Sequence, residues 1–398
     1  MLFRSSQHTH GTDNARCLID LALMCGQIGK PGVGLHPLRG QNNVQGASDA
    51  GLIPMVYPDY QAVGDPAAQA KFEAFWGTAL DDRPGLTSVE IFNAAHDGDI
   101  RGMYIMGENP AMSDPNLRHS REALVRLDHL TVQDLFLTET AFYADVVLPA
   151  SAFQEKAGTY TNTDRRVQVG RPALSLPGET RQDLALIQEV ARRLGLDWDY
   201  AGPAAVWEEM RQCMPSIAGM SWERLQREDS ITYPCPTPDH PGTPILFEDR
   251  TLWTGDGKGH LKAVDFTRAR ELPDADYPYV LLTGRQLEHW HTGAMTRRAS
   301  VLNAIEPAPT LSMHPRDLQD LGLRPGDRVH AASRRGTVGL ATRADDNLHR
   351  GQVFLPFAYH EAAANLLTTD ALDPDAKIPE FKYCAVQVRA ERSAGEPG

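Results

Sequence analysis

The sequence predicts an α/β protein built in two units, a parallel-sheet layer followed by a β-barrel. Two patterns predict it. Between about residues 60 and 210, short apolar runs alternate with stretches of helical periodicity, as expected of strands joined by crossover helices. From about residue 275 the helices give way to short strands bounded by glycine turns, as in a small barrel. With 398 residues, 41% of them hydrophobic and 23% charged, the chain is long enough for both units and a sizeable core.

The elements follow in chain order. "TDNARCLIDLALMCGQIGKPG" reads as a first helix. Thr12, Asp13 or Asn14 can cap it, Leu18, Leu21 and Ala22 form an apolar stripe, and Gly26 and then Gly29 to Gly32 end it. "HPLRGQNNVQGASDAG", His36 to Gly51, comes next. It sets one arginine, Arg39, among amides, hydroxyls and glycines, a composition that cannot fill a core and is too specific for a linker. Residues from about 60 to 100 read as partly exposed helix around the turn "DDRPG". "GMYIMGENP" gives a strand over Met103 to Met106, broken by Gly107 and Pro110. "NLRHSREALVRLDHL" gives a helix, and "LTVQD" and "ADVVLPA" give two more strands. Ligands of parallel sheets bind beyond the carboxyl ends of the strands. That places Gly107, Glu108, Asn109, Gln133, Asp134, Pro149 and Ala150 at the candidate edge. "GTYTNTDRRVQVG" reads as a hairpin, and "TRQDLALIQEVARRLG" as a helix with Leu184, Ile187, Val190, Ala191 and Leu194 on one stripe. Residues 213 to 260, rich in Pro, Gly and charge, read as connecting structure without a strong element. "YPYVLLTGR", two strands around "SRRG", "GQVFLPFAYH" and "EFKYCAVQVRA" supply the barrel.

A net charge of −13 disfavours a nucleic-acid or anionic-membrane binder, since either needs a basic face. No apolar run approaches the ~20 residues of a membrane span, and the first residues lack the apolar core of a signal peptide. The five cysteines are scattered without a CxxC pair, which offers no local iron–sulfur or zinc framework. A cytoplasmic location is the expectation. Hydrolase elbows, Walker loops, HExxH and a GxGxxG fingerprint after a strand are absent. Two HxH pairs, His8/His10 and His289/His291, lack a third ligand nearby in sequence. What remains is a set of polar loops spread over both units, suited to gripping one large polar ligand.

Those loops carry a resemblance. "PLRGQNNVQG", "TETAFYADVVLP", "LTGRQLEHWHTGAMTRRA" and "NLLTTDALDP" resemble the molybdopterin oxidoreductase (DMSO reductase) superfamily, in its formate dehydrogenase catalytic-subunit branch. The likeness runs from "QHTHGTDNAR" to "PEFKYCAVQV". It implies a partial Rossmann-like sheet, a double-psi type barrel that binds a dinucleotide, and molybdenum or tungsten held by two molybdopterin guanine dinucleotides. The implied reaction oxidises formate to carbon dioxide with transfer of two electrons. It also implies four regions: 1–60, a remnant of the active-site domain with the "RGQNN" loop; 61–215, the α/β molybdopterin-binding domain; 216–270, a connecting segment; and 271–398, the dinucleotide-binding barrel.

By the same resemblance Arg39 is the catalytic arginine that holds the formate carboxylate. Nitrate reductases of the family commonly carry threonine there. Gln41 would lie along a pterin. Gly107, Glu108, Asn109 and Ser113 would meet one dinucleotide, with Gln133 and Asp134 at the adjacent strand end and Asp183 pairing with guanine. Arg285, Gln286 and His291 would cover a pterin, and Asn365, Phe381 and Lys382 would add later contacts. Ser48 stands where many relatives have cysteine. The family's CxxCxxxC iron–sulfur domain and its Cys-His or selenocysteine-His metal ligand have no counterpart here, and no residue of the chain is assigned as a metal ligand. The expectation is therefore a C-terminal portion, inactive alone, whose partners are formate and a missing N-terminal half or other dehydrogenase subunits. The iron–sulfur cluster is expected only in the missing part. The competing expectation is a non-catalytic cofactor- or partner-binding protein derived from such an enzyme.

Overall fold

The computed structural model describes residues 5–391. Its parallel sheet has the order β3-β4-β5, with β3 at Gly102–Met106, β4 at His129–Asp134 and β5 at Val146–Pro149. A hairpin of two-residue strands, β1 (Val56–Tyr57) and β2 (Gln61–Ala62), precedes it. An antiparallel sheet of β6 (Gly158–Thr161), β7 (Arg166–Gly170) and β8 (Ile231–Thr232) follows. The remaining strands are β9 (Tyr279–Gly284), β10 (Thr310–Met313), β11 (Arg328–Ala332), β12 (Thr337–Ala344), β13 (Gln352–Pro356) and β14 (Cys384–Ala390). They close a barrel in the order β10-β12-β11-β14-β9-β13. The α/β class and the succession of parallel sheet and barrel are as the sequence predicts.

One face of the parallel sheet is covered by the helices Ser88–Asp97 and Leu117–Arg126. Phe92, Ala95, Ala123 and Leu124 pack there on Ile105, Leu130 and Val132. The first of these helices is started by Thr87, whose N–H donates to the Glu90 carboxylate at 3.0 Å. Tyr104, Met106 and Val146 of the same strands remain exposed. The barrel core is made by Leu281, Leu311, Met313, Val329, Leu340, Val353, Leu355 and Val386. These are the inward positions of alternating strands.

Three features depart from the sequence reading. The stretch read as featureless holds a helix, Trp222–Glu228, and shares a core with the helix before it, Pro203–Cys213: Trp207, Met214, Met220, Leu225, Ile231 and Cys235. Its order comes from a non-periodic device. Arg224, 9% exposed, donates to the carbonyls of Gly219, Pro238 and His240 at 2.7–3.0 Å, and so satisfies loop oxygens that water would otherwise have to reach. Strand β10 follows "EPAP" and spans four residues, too short to show a period, yet it closes the barrel by pairing parallel to β12 and antiparallel to β13. The first helix, Gly11–Met24, has His10 at its N-cap without a side-chain cap bond. Leu18, Leu21 and Met24 on it are exposed rather than buried.

Leu281 is fully buried in the barrel. Leu281→Ala should lower unfolding free energy by about 2–5 kcal/mol through the cavity it leaves, measured by urea denaturation followed by circular dichroism.

Candidate functional site

A cavity of ≈ 310 Å³ opens where the sheet layer meets the barrel, lined by Gln7, Ser113, Thr283, Gly284, Arg285, His291, Phe357, Asn365, Phe381 and Lys382. Strand β9 delivers Thr283 and Gly284 to its wall, and Arg285 follows directly. A side chain at residue 284 would put its Cβ 2.5 Å from the Phe354 ring, so a larger residue there would force that ring to move. Lys382, 8% exposed, buries its stem and brings Nζ to 3.3 Å from Thr283 Oγ1 and over the Phe357 ring. The Arg285 guanidinium lies 4.5 Å from the Trp290 ring centroid, and burial lowers its pKa. Burial, then the charges of Arg285 and Lys382, hold His291 down at about 4, so its ring is neutral near pH 7. Asn365 donates from Nδ2 to the carbonyls of Met112 (3.2 Å) and Ser113 (2.8 Å). Its buried Oδ1 has no hydrogen-bond partner among the described residues. No carboxylate is among the lining residues described. Two cations, a neutral imidazole and an open amide acceptor suit an anionic ligand that also carries hydrogen-bond donors.

The N-terminal wall is held from the barrel side. Glu380, fully buried, accepts from Thr9 N–H (3.4 Å) and hydroxyl (3.3 Å) on Oε1, and from Arg270 N–H (2.9 Å) on Oε2. His8 Nδ1 lies 3.7 Å from Oε1, and the His8 ring stacks on His10 at 5.2 Å. Asp373, 1% exposed, accepts from Thr12 N–H (2.9 Å) and hydroxyl (2.6 Å). These bonds place Gln7 at the cavity. They also account for the first HxH pair. In the second, His289 Nε2 meets the Glu306 carbonyl at 2.7 Å while His291 faces the cavity. No group of three metal-ligating side chains occurs among the described residues.

The carboxyl ends of β3 and β4 gather a second group. Gln133, fully buried, accepts from the Tyr104 hydroxyl and donates to Asp183 Oδ1 at 2.7 Å, while Asp183 Oδ2 pairs with Lys156. Both Asp183 oxygens therefore have protein partners in this structure. Asn109, 6% exposed, donates to Glu139 at 2.7 Å and accepts from Thr140 N–H and hydroxyl at 3.1 and 2.8 Å. It ties two edge loops together. Gly107 takes φ +64, and its N–H donates to the Gln133 carbonyl at 2.9 Å. Desolvation, then the charge of Asp134, raises Glu108. Desolvation also raises Asp134, against the pull of the Leu135 and Phe136 amides.

The structure thus sorts the expected site residues rather than gathering them in one cavity. Ser113, Arg285, His291, Asn365, Phe381 and Lys382 share the cavity. Gly107, Glu108, Asn109, Gln133, Asp134 and Asp183 form the sheet edge beside it. Gln286 turns away from the cavity and donates to the Tyr359 hydroxyl at 2.7 Å. Gln41 is exposed, and Arg39 lies on a separate loop. That loop docks on the β6–β7 hairpin: Thr163 donates to the Pro37 carbonyl (2.7 Å) and Thr161 N–H to Asn43 Oδ1 (2.9 Å). A Cβ at Gly46 would fall 2.3 Å from that same Asn43 oxygen.

Gln7, Glu380, Asp373 and Asp114 were not foreseen. The bonds to Glu380 and Asp373 span most of the chain, and none of these residues leaves a periodic trace. Glu380 and Asp373 do lie inside the polar stretches "IPEFKYCAV" and "NLLTTDALDP".

Comparison with known proteins gives two family matches. "Molybdopterin oxidoreductase" matches residues 4–193 and "Molydopterin dinucleotide binding domain" residues 279–385. The chain is 45% identical to F420-dependent formate dehydrogenase subunit alpha of Methanocaldococcus jannaschii, over 96% of this chain and 56% of that protein. It is 34% identical to formate dehydrogenase H of Escherichia coli over 98% of this chain and 55% of that protein. It is also 34% identical to the assimilatory nitrate reductase catalytic subunit of Bacillus subtilis, over 98% and 56%. The chain spans little more than half the length of these relatives. Acetylene hydratase from Pelobacter acetylenicus shares the fold, with a TM-score of 0.62 and 18% identity over 82% of this chain and 50% of that one.

Asp114, 8% exposed, follows Ser113, and its buried Oδ2 lacks a partner among the described residues. Burial, then Glu108, pushes its carboxyl up to about 7. Below about pH 3 the group is protonated in folded and unfolded chains alike. As pH rises from about 3 through 7 the unfolded chain ionises first, so the folded form loses stability. Asp114→Asn should equal the parent near pH 3 and exceed it by roughly 2–4 kcal/mol at pH 8, read from denaturation midpoints across that range.

Proposed function

We propose, for a chain that belongs to the molybdopterin oxidoreductases, that its residues form the dinucleotide-binding and substrate-arginine portion of a formate dehydrogenase catalytic subunit. The observation that carries this is the cationic cavity at the sheet–barrel junction. Its residues fit the phosphates and pterin edge of a molybdopterin guanine dinucleotide. Arg285 and Lys382 bring positive charge to the lining, and the open Asn365 Oδ1 offers an acceptor to a ring N–H. Neutral His291 can accept or donate without adding charge. When bound, the metal–pterin group, molybdenum or tungsten, supplies the two-electron redox chemistry.

Arg39 is assigned to the formate carboxylate, which its planar fork can hold through two parallel N–H···O bonds. The similarity to a nitrate reductase as well as to formate dehydrogenases leaves the substrate to this position. The chain's cysteines suit the metal poorly. Cys213 and Cys384 are buried, and desolvation raises both, Cys384 to about 12. Cys235 is buried as well, while Cys17 and Cys25 are exposed and do not line the cavity. The proposal therefore takes the metal's sulfur or selenium ligand, and the iron–sulfur relay, from polypeptide outside these residues. The proposed setting is the cytoplasm. All five cysteines are free, and no helix among the described residues is long and apolar enough to cross a membrane.

The test is expression of this chain alone and together with the N-terminal half of a relative, followed by assay of metal, pterin and formate-dependent dye reduction. Turnover is expected only in the combination. Cofactor binding without turnover in either case would favour a non-catalytic cofactor-binding role. In the combined enzyme, Arg39→Lys should lose at least about tenfold in formate turnover while keeping metal and pterin, because lysine keeps the charge but not the fork. Lys382→Met should instead lower the pterin and metal content itself.

A further inference from the structure

Arg39 sits in a stretch, residues 35–39, without regular structure, and Leu35 and Leu38 beside it are exposed. Its direction has to be set by bonds to something more rigid. At its root, the Arg39 N–H donates to the Pro37 carbonyl at 3.0 Å. That same carbonyl accepts from the Thr163 hydroxyl at 2.7 Å. At its tip, Nη1 donates to Ser48 Oγ at 3.4 Å, and Ser48 donates onward to the Val44 carbonyl at 2.9 Å within the helix Val44–Asp49. Asn43 occupies the N-cap of that helix but makes no side-chain cap bond. Its Oδ1 accepts instead from Thr161 N–H at 2.9 Å.

Both holds come from one place, the turn between β6 and β7. Asn162 closes that turn twice. Its carbonyl accepts from Arg165 N–H at 3.0 Å, and its Oδ1 accepts from Arg166 N–H at 2.9 Å. Arg165 ties the turn to the segment behind it. Its guanidinium donates to the Tyr233 carbonyl and, at 3.0 Å, to the Pro244 carbonyl. Tyr233 N–H returns a bond to the Arg165 carbonyl at 2.8 Å. The turn is thus fixed by bonds that do not involve the Arg39 loop, while the loop is fixed by bonds from the turn. The helix that carries Ser48 approaches this hairpin closely, since a Cβ at Gly46 would fall 3.2 Å from Thr161 Oγ1.

We infer that Thr163 is a positioning residue for Arg39. Its hydroxyl pins the carbonyl on which the Arg39 N–H rests, and so fixes where the side chain leaves the backbone. Thr161 holds the helix that offers Ser48 to the other end of that side chain. With root and tip held from one rigid turn, the guanidinium fork meets the substrate carboxylate from a defined direction. The inference rests on the assignment of Arg39 to formate made above. Thr163 acts through the Pro37 carbonyl rather than on the substrate, so its loss should weaken substrate capture more than the chemical step.

The experiment uses the formate dehydrogenase assembled with this chain and compares Thr163→Val, Thr163→Ser and Arg39→Lys. Thr163→Val keeps the shape and deletes the hydroxyl, and it should raise the KM for formate about threefold or more, the fold-change of one hydrogen bond of ordinary net strength. Its kcat should stay within about twofold, with metal and pterin content unchanged. Thr163→Ser keeps the hydroxyl and should stay within about twofold of the parent in KM. In an Arg39→Lys background Thr163→Val should add less than about twofold, because there is no fork left to aim. Unchanged KM in Thr163→Val, with Arg39→Lys impaired, would overturn the inference and leave the bond to Pro37 as a loop anchor. Loss of metal and pterin in Thr163→Val would also overturn it and assign the turn to the cofactor. Full activity in Arg39→Lys would instead overturn the assignment of Arg39, and this inference with it. Should Thr163→Val fail to assemble, Thr163→Ala decides on the same KM criterion.

Discussion

At the cavity, a buried amide ties the sheet layer to the barrel. Asn365 reaches out of the barrel and donates both its N–H groups to consecutive carbonyls, Met112 and Ser113, across the junction. Met112, Leu117 and Ala363 pack beside it as a small fully buried cluster. A carbonyl buried at such a junction without a donor would cost on the order of 1–3 kcal/mol. The amide therefore helps hold the two units together at the cavity, alongside the Asn116–Asp370 and Arg298–Leu137 bonds. The cavity opens beside this seam, with Arg285 and Lys382 among its lining residues. Asn365 gives its nitrogen to the scaffold and leaves its oxygen unpartnered at the cavity, where the proposed ligand would meet it.

A second constraint acts at the opposite wall. Glu380 and Asp373 are acids with essentially no solvent exposure, and each is stabilised by hydrogen bonds from the segment 9–12. Bonds from backbone N–H and hydroxyl groups stabilise the charged form, and desolvation would otherwise drive both acids toward neutrality. The arrangement makes the segment and the loop mutually dependent, since each carries groups that only the other satisfies. Lys382 and Phe381 follow Glu380 directly, so the same clamp that seats Gln7 also sets two more lining residues.

What was legible in the sequence follows from how local the signal is. The strands β3 to β5, the β6–β7 hairpin and the helix Asp183–Arg193 show apolar patterns that a short window captures. The barrel showed itself through its glycine turns. Strand β10 did not, because four residues carry no period. The Trp222–Glu228 helix did not, because its order depends on Arg224 reaching distant carbonyls. At the site, neighbouring residues parted company for a similar reason. Arg285 lines the cavity, while Gln286 beside it turns to Tyr359, since successive side chains leaving a strand point to opposite sides. Asp183 stood out as an acid at a helix start. That it is held by Gln133 and Lys156 could be learned only from the folded chain. A motif marks where polar groups collect, and packing then decides which of them face a ligand.

The clamp on the N-terminal segment also bears on the order of events during synthesis. Glu380, which fixes the residues next to Gln7, leaves the ribosome more than 370 positions after it. The parallel sheet can form long before that, since domains fold as units while the chain grows. The cavity wall cannot, because Phe381 and Lys382 belong to the last turn before the closing strand. A ligand seated in this cavity must therefore arrive after residue 382 has been made, and a nascent chain stalled before residue 380 would carry a folded sheet with no complete place for it.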